Sequence, residues 1–166
     1  MIHPEAASTT PRYRRRAGWH GVMVAAVTLV LAGCDSVTLE DHRGQTLDWS
    51  DLRGQWVAVN YWAEWCAPCL KEIPELNRLD ADTDVTVLGV NFDGLQGDAL
   101  GDLVGRMGIR FRTLTQDPAN TLKWQTPLAL PATFMINPEG QLVETRFGEQ
   151  TRASLRELIE RPTQQP

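Results

Sequence analysis

Two cysteines separated by two residues, Cys66-Ala67-Pro68-Cys69, carry the strongest chemical signal in this chain of 166 residues. Thiols at that spacing can close a disulfide, exchange it with another protein, or supply part of a metal site. A structural zinc site needs four ligands, and once Cys34 is set aside the chain beyond residue 33 adds only His42. A purely structural bridge across so short a loop restrains little of the unfolded chain and contributes little stability. The reading that uses both thiols is reversible redox exchange, in which the Cys66-Cys69 bond itself carries the electrons and no metal or other cofactor is required.

Such a pair must be held by regular elements. Residues 56–61, Trp-Val-Ala-Val-Asn-Tyr, are β-branched and aromatic enough for a buried central strand. Residues 66–79 set Leu70, Ile73, Leu76 and Leu79 at helical spacing, so strand, cysteine loop and helix follow in order. Pro74 removes a backbone donor inside that helix and predicts a kink. Residues 85–90 read as a second buried strand and 98–107 as a helix that Gly108 ends, which completes a βαβ unit with a parallel pair. Residues 37–39 and 46–47 flank the turn cluster Asp41-His42-Arg43-Gly44 and predict a hairpin; residues 50–54 predict one capped helical turn. A second hairpin spans 132–136 and 141–147 around Asn137-Pro138-Glu139-Gly140, and 151–160 is a closing amphipathic helix through Leu155, Leu158 and Ile159. The tail 162–166 reads as frayed.

The first third sets the compartment. Arg12, Arg14, Arg15 and Arg16 precede the apolar run 21–31, whose 11 residues suit the core of an export signal and fall short of a bilayer span. The run ends in Leu31-Ala32-Gly33-Cys34, which resembles the lipobox of bacterial lipoproteins; residues 1–33 are then a signal peptide and Cys34 takes the lipid. The alternative is an ordinary secretory signal with Cys34 as a chance thiol. Loss of residues 1–33 removes four basic and one acidic side chain, leaving 12 basic and 20 acidic and a formal charge of −8 over 34–166. Whole-chain values of −5 and pI near 5.2, without a basic stripe, exclude nucleic acid as a partner. Hydrophobic residues at 42% and charged residues at 22% exclude wholesale disorder and a multi-pass membrane protein.

The run Asn60-Tyr61-Trp62-Ala63-Glu64-Trp65-Cys66-Ala67-Pro68-Cys69 resembles the active-site strand and helix start of the thioredoxin superfamily, and Leu130-Pro131-Ala132-Thr133-Phe134 resembles its cis-proline loop. With an N-terminal hairpin before them and Asn137-Pro138-Glu139-Gly140 after, the pattern over 37–160 resembles the TlpA-like and ResA-like branch of exported thiol-disulfide oxidoreductases. The resemblance implies an α/β thioredoxin-like fold over 34–166, a central mixed sheet flanked by helices with an N-terminal β-hairpin extension. It also implies a cis bond at Pro131 that sets the Leu130 backbone beside Cys66, where an incoming extended peptide could pair. A helix start favours a thiolate, so Cys66 is the attacking nucleophile. Cys69, one turn inward, resolves the mixed disulfide. Pro68, next to Ala67 in the first turn, stiffens the loop and tunes the redox balance. Trp65 either covers the core or shields the disulfide and meets partners. Thioredoxin has a buried aspartate where this chain has Asn60, which cannot shuttle the Cys69 proton; Asp93 is the nearest substitute, or else a simple loop or cap residue.

The expected function is a lipid-anchored disulfide reductase of exported proteins, serving cytochrome c or copper-site maturation and fed by a membrane electron donor of the DsbD or CcdA type. A monomer is expected, held at the periplasmic or outer side of a membrane, with the inner membrane favoured. The alternatives are a thiol oxidant or isomerase, and a non-catalytic envelope binding module on the same scaffold.

Overall fold

The computed structural model describes residues 37–82 and 84–161. Cys34, the leader 1–33 and the tail 162–166 lie outside them. In chain order the elements are β1 (Thr38–Glu40), β2 (Thr46–Asp48), a 3-10 turn (Trp49–Leu52), β3 (Trp56–Trp62), α1 (Ala67–Asp80), β4 (Val85–Asn91), α2 (Gly97–Arg106), β5 (Arg112–Leu114), α3 (Ala119–Leu122), β6 (Ala132–Ile136), β7 (Leu142–Phe147) and α4 (Arg152–Glu160). Five strands form one mixed sheet in the order β5-β4-β3-β6-β7, with β3 at its centre. β3 pairs parallel with β4 and β4 with β5, while β6 is antiparallel to both β3 and β7. The first hairpin, β1 with β2, is a separate antiparallel pair.

Alternation along β3 divides the core into two. Ala58 and Trp62 face a cluster with both cysteines, Ile73, Leu76 and Leu79 of α1, Leu100 and Leu103 of α2, and Leu155 and Leu158 of α4. Val57, Val59 and Tyr61 face the opposite way, into a cluster closed by Leu39, Leu52, Leu114 and Phe134. A strand buried on both sides has no polar face to show, which is why its sequence reads as a nearly continuous apolar run.

Two local expectations are corrected. The 3-10 turn is not capped by a side chain; Asp48 precedes it in extended conformation without a capping bond. The stripe that buries α1 is Cys69, Glu72, Ile73, Leu76 and Leu79, whereas Leu70 is exposed. The helix also passes through Pro74, which stands on the exposed side. Two elements escaped the sequence reading: β5, which adds a parallel edge to β4, and the short α3.

Candidate active site

β3 ends at Trp62, and the turn that follows is tied by the Cys66 N–H donating to the Ala63 carbonyl at 3.2 Å. Cys66 then caps α1 with extended backbone, and its sulfur accepts the Cys69 N–H at 3.3 Å. First-turn amides have no partner within the helix, so the sulfur occupies one of those vacant donors and stands at the positive end of the helix dipole. Pro68 brings no N–H to this turn and leaves nothing unpaired. Cys66 and Cys69 are joined by a disulfide, with S–S 2.09 Å and Cα–Cα 5.3 Å. Cys66 keeps 4% of its surface and Cys69 none, while Ala67 and Pro68 between them are exposed. An incoming sulfur therefore meets Cys66 first.

The carboxyl that shares the buried face of α1 with Cys69 is Glu72, three residues on and fully buried. Its Oε1 accepts the Asn60 amide at 2.8 Å and its Oε2 accepts the Gln150 N–H at 2.9 Å. Asn60 donates also to Thr133 Oγ1 at 3.0 Å, so β3 and the approach to α4 meet at the α1 carboxylate while β6 steadies the Asn60 amide. Burial pushes this carboxyl up to about 7; the bonds from Gln150 and Asn60 pull the other way, and the charge of Glu149 adds to the rise. Sequence reasoning passed over Glu72, although a stripe begun at Cys69 rather than Leu70 places it on the buried face.

Asp93 lies just beyond β4 and is exposed. Both its oxygens accept the Trp65 indole N–H, at 3.1 and 3.2 Å. Trp65 is 65% exposed, so it is not a core aromatic; its ring meets Phe92 edge-on at 6.4 Å. Trp62, by contrast, is fully buried. Asp93 thus fixes the indole that stands next to Cys66.

The Leu130-Pro131 bond is cis. Leu130 packs against both core clusters, including the one that holds the cysteines, and the Pro131 carbonyl accepts the Gly148 N–H at 2.9 Å. The chain leading to this loop is pinned from below. Tyr61 donates to Asp117 Oδ1 at 2.7 Å and accepts the Trp124 indole N–H at 3.0 Å, while Thr126 donates to Asp117 Oδ2 at 2.8 Å. Burial holds the Tyr61 phenol well above its usual value, so it remains a donor at any ordinary pH.

A sulfur at a helix start, bonded to a second sulfur enclosed behind it, is built to break and remake one bond as electrons arrive and leave. Joined to the thioredoxin-like sheet, it makes this chain a thiol-disulfide oxidoreductase. The chain belongs to the AhpC/TSA family, whose family model matches residues 32–145. It is ResA-like: the thiol-disulfide oxidoreductase ResA of Bacillus subtilis is 31% identical over an alignment of 142 positions that covers 78% of this chain and 79% of ResA. The thiol:disulfide interchange protein CycY of Rhizobium leguminosarum is 26% identical over 145 residues, covering 84% of this chain and 77% of CycY. Among solved structures, StoA from Bacillus subtilis matches with a TM-score of 0.61 and 22% identity, over 75% of this chain and 96% of StoA. The exposed lipoprotein thioredoxin Etrx1 of Streptococcus pneumoniae matches at 0.63 and 24%, over 76% of this chain and 99% of that one.

Proposed function

We propose that this protein reduces disulfides in exported proteins, with its own pair passing from dithiol to disulfide in each turnover. The observation that carries the reading is the Cys66 sulfur at the start of α1 with the Cys69 N–H directed at it. In the reduced form that donor and the helix end stabilise a Cys66 thiolate. The thiolate attacks one sulfur of a client disulfide, forming a mixed disulfide and expelling the client's other sulfur as thiolate, which takes a proton from solvent. The Cys69 thiol then loses its proton and attacks Cys66, which releases the second client thiolate. Two electrons have moved to the client and the Cys66-Cys69 bond has closed.

Glu72 is our choice for the group that receives the Cys69 proton, since it is one turn away on the same buried face and titrates near neutrality. Asp93 is the competing carboxylate, and its bond to Trp65 supports a positioning role instead. Asn60 holds the Glu72 carboxylate in place.

Family likeness supports clients in cytochrome c or copper-site maturation and a membrane donor of the DsbD or CcdA type that resets the pair. Lipid on Cys34 would hold the domain at the outer side of a membrane; among the described residues no helix is long and apolar enough to cross one. The deciding experiment replaces Cys69 by Ser in the full chain and isolates what remains bound to Cys66. Capture of exported cysteine proteins, with a reduction potential nearer about −270 mV than about −120 mV, supports a reductant. A potential at the upper value would make it an oxidant, and absence of any mixed disulfide would leave a binding module.

A further inference from the structure

Apart from Val143, the exposed large apolar residues among those described fall into two groups. Trp65 and Leu70 adjoin the two cysteines in the chain, Phe92 meets Trp65 edge-on, and Leu95 follows on the same loop as Phe92. Leu128, Leu142 and Phe147 instead rim a groove of about 460 Å³ on the far face of the sheet, floored by Phe134 and walled by Trp124. Leu128 is fully exposed and Phe147 is 60% exposed. The groove lies along β7, the sheet edge remote from the β4 side that carries Phe92. No charged residue lines it, on a domain whose residues 34–166 carry a formal charge of −8. Apolar surface of this kind, left open on an otherwise acidic molecule, marks a contact with something apolar.

The chain itself names the occupant. Val37, where the described residues begin, packs on the cluster under this face, and its carbonyl accepts the Trp49 N–H at 2.8 Å. Trp49 meets Trp124 of the groove wall edge-on at 5.9 Å. Cys34 is only three residues before Val37, and three extended residues span at most about 10 Å. We propose that the Trp124, Leu128 and Phe147 surface is the membrane-docking face of the protein, entering the headgroup region of the bilayer to which Cys34 is tethered. The inference rests on Cys34 carrying the lipid. Its physical basis is that so short a tether admits few orientations, and that an uncharged aromatic and aliphatic face is the one an anionic bilayer repels least. Aromatic side chains with a polar edge settle in that interfacial layer.

The test uses the full chain, processed and lipidated in a bacterial host, reconstituted into phosphatidylethanolamine and phosphatidylglycerol vesicles that contain a diazirine-bearing phospholipid. Flotation reports the anchor, and mapping of photo-adducts reports the face. The expected result is flotation with adducts concentrated in residues 124–128 and 142–147. Leu128→Asp with Phe147→Asp is expected to lower those adducts at least about tenfold while the protein still floats and still reduces a small soluble disulfide at the parent rate. Flotation with adducts on 65–70 and 92–95, or on the peptide at Cys34 alone, overturns the docking face and spares the anchor. Cross-links that join the groove to a second copy overturn it equally. Failure to float overturns the anchor reading, and the docking face with it.

Discussion

Glu72 puts a buried group that titrates near neutrality beside the disulfide-bearing turn of α1. Its carboxyl titrates at about 7 when folded and at its ordinary value of 4.5 when exposed. Between those values the folded chain retains a proton that the unfolded chain gives up, so the contribution of Glu72 to stability is fully present below about pH 4.5 and is lost as pH rises through about 7. At about 1.36 kcal/mol per tenfold change in proton affinity, the loss is about 3 kcal/mol. Glu72→Gln should flatten this slope relative to the parent in urea titrations from pH 4 to 8. Asn60 can turn its amide to meet the new NH2, because its Oδ1 has no partner now. The same variant should slow closure of Cys69 on a mixed disulfide by about tenfold to a thousandfold and remove its inflection near pH 7, with the first attack by Cys66 unchanged. Asp93→Ala, which leaves the Trp65 indole N–H without its acceptor, separates the two carboxylates. If it acts through Trp65, it should raise KM for protein clients several-fold, shift the tryptophan fluorescence, and leave kcat and the closure rate alone. The cysteines, Pro131 and Asn60 were legible because each sits in a short local run. Glu72 was not, because a charged residue is expected to face water until its partners, Gln150 from far along the chain among them, are known.

Among the elements, α1 was found in the sequence with Ile73, Leu76 and Leu79 on its buried face, and only its first leucine misplaced. Leucine at Leu70 looked like core, yet toward its start the helix buries Cys69 and Glu72 and leaves Leu70 to solvent. Hydrophobic periodicity reads the average face of a helix, and a site placed at its terminus departs from that average. α4 was readable in both extent and start. Its Thr151 accepts the Ser154 N–H at 3.0 Å while Ser154 accepts the Thr151 N–H at 3.0 Å, a reciprocal cap. That cap adjoins Gln150, whose N–H reaches Glu72, so helix start and buried carboxyl are supported by one stretch of backbone. Thr151→Ala should cost about 1 kcal/mol in urea unfolding at pH 7. If the Glu72 bond loosens with it, the inflection in the closure rate should move, whereas a change in stability alone would confine the residue to capping.

For the whole molecule, the strand count was the least readable property. β5 has three residues, too few for alternation to register, and its place is set by β4 rather than by its own sequence. The position that closes the sheet on this side is Gly89 in β4, paired with Asn60 of β3 and Thr113 of β5. A Cβ there would stand 2.9 Å from Phe111 Cε2, from Thr113 Oγ1 and from Trp62 Nε1, and all three side chains are fully buried. No flexible end is available to yield, so Gly89→Ala must move a ring or a strand, at a cost of about 1–3 kcal/mol. The movement should run toward β5, a short edge strand bound to a single neighbour within the sheet, rather than toward β3, which β4 and β6 grip from both sides. Urea unfolding should therefore shift to a lower midpoint with the same slope, while alkylation of reduced Cys66 stays within about twofold of the parent. A larger change at Cys66 would mean that the strain passes through Trp62 into the turn at Ala63, making the sheet centre and the disulfide one mechanical unit. An unchanged midpoint would mean that the packing around Gly89 is looser than these contacts require.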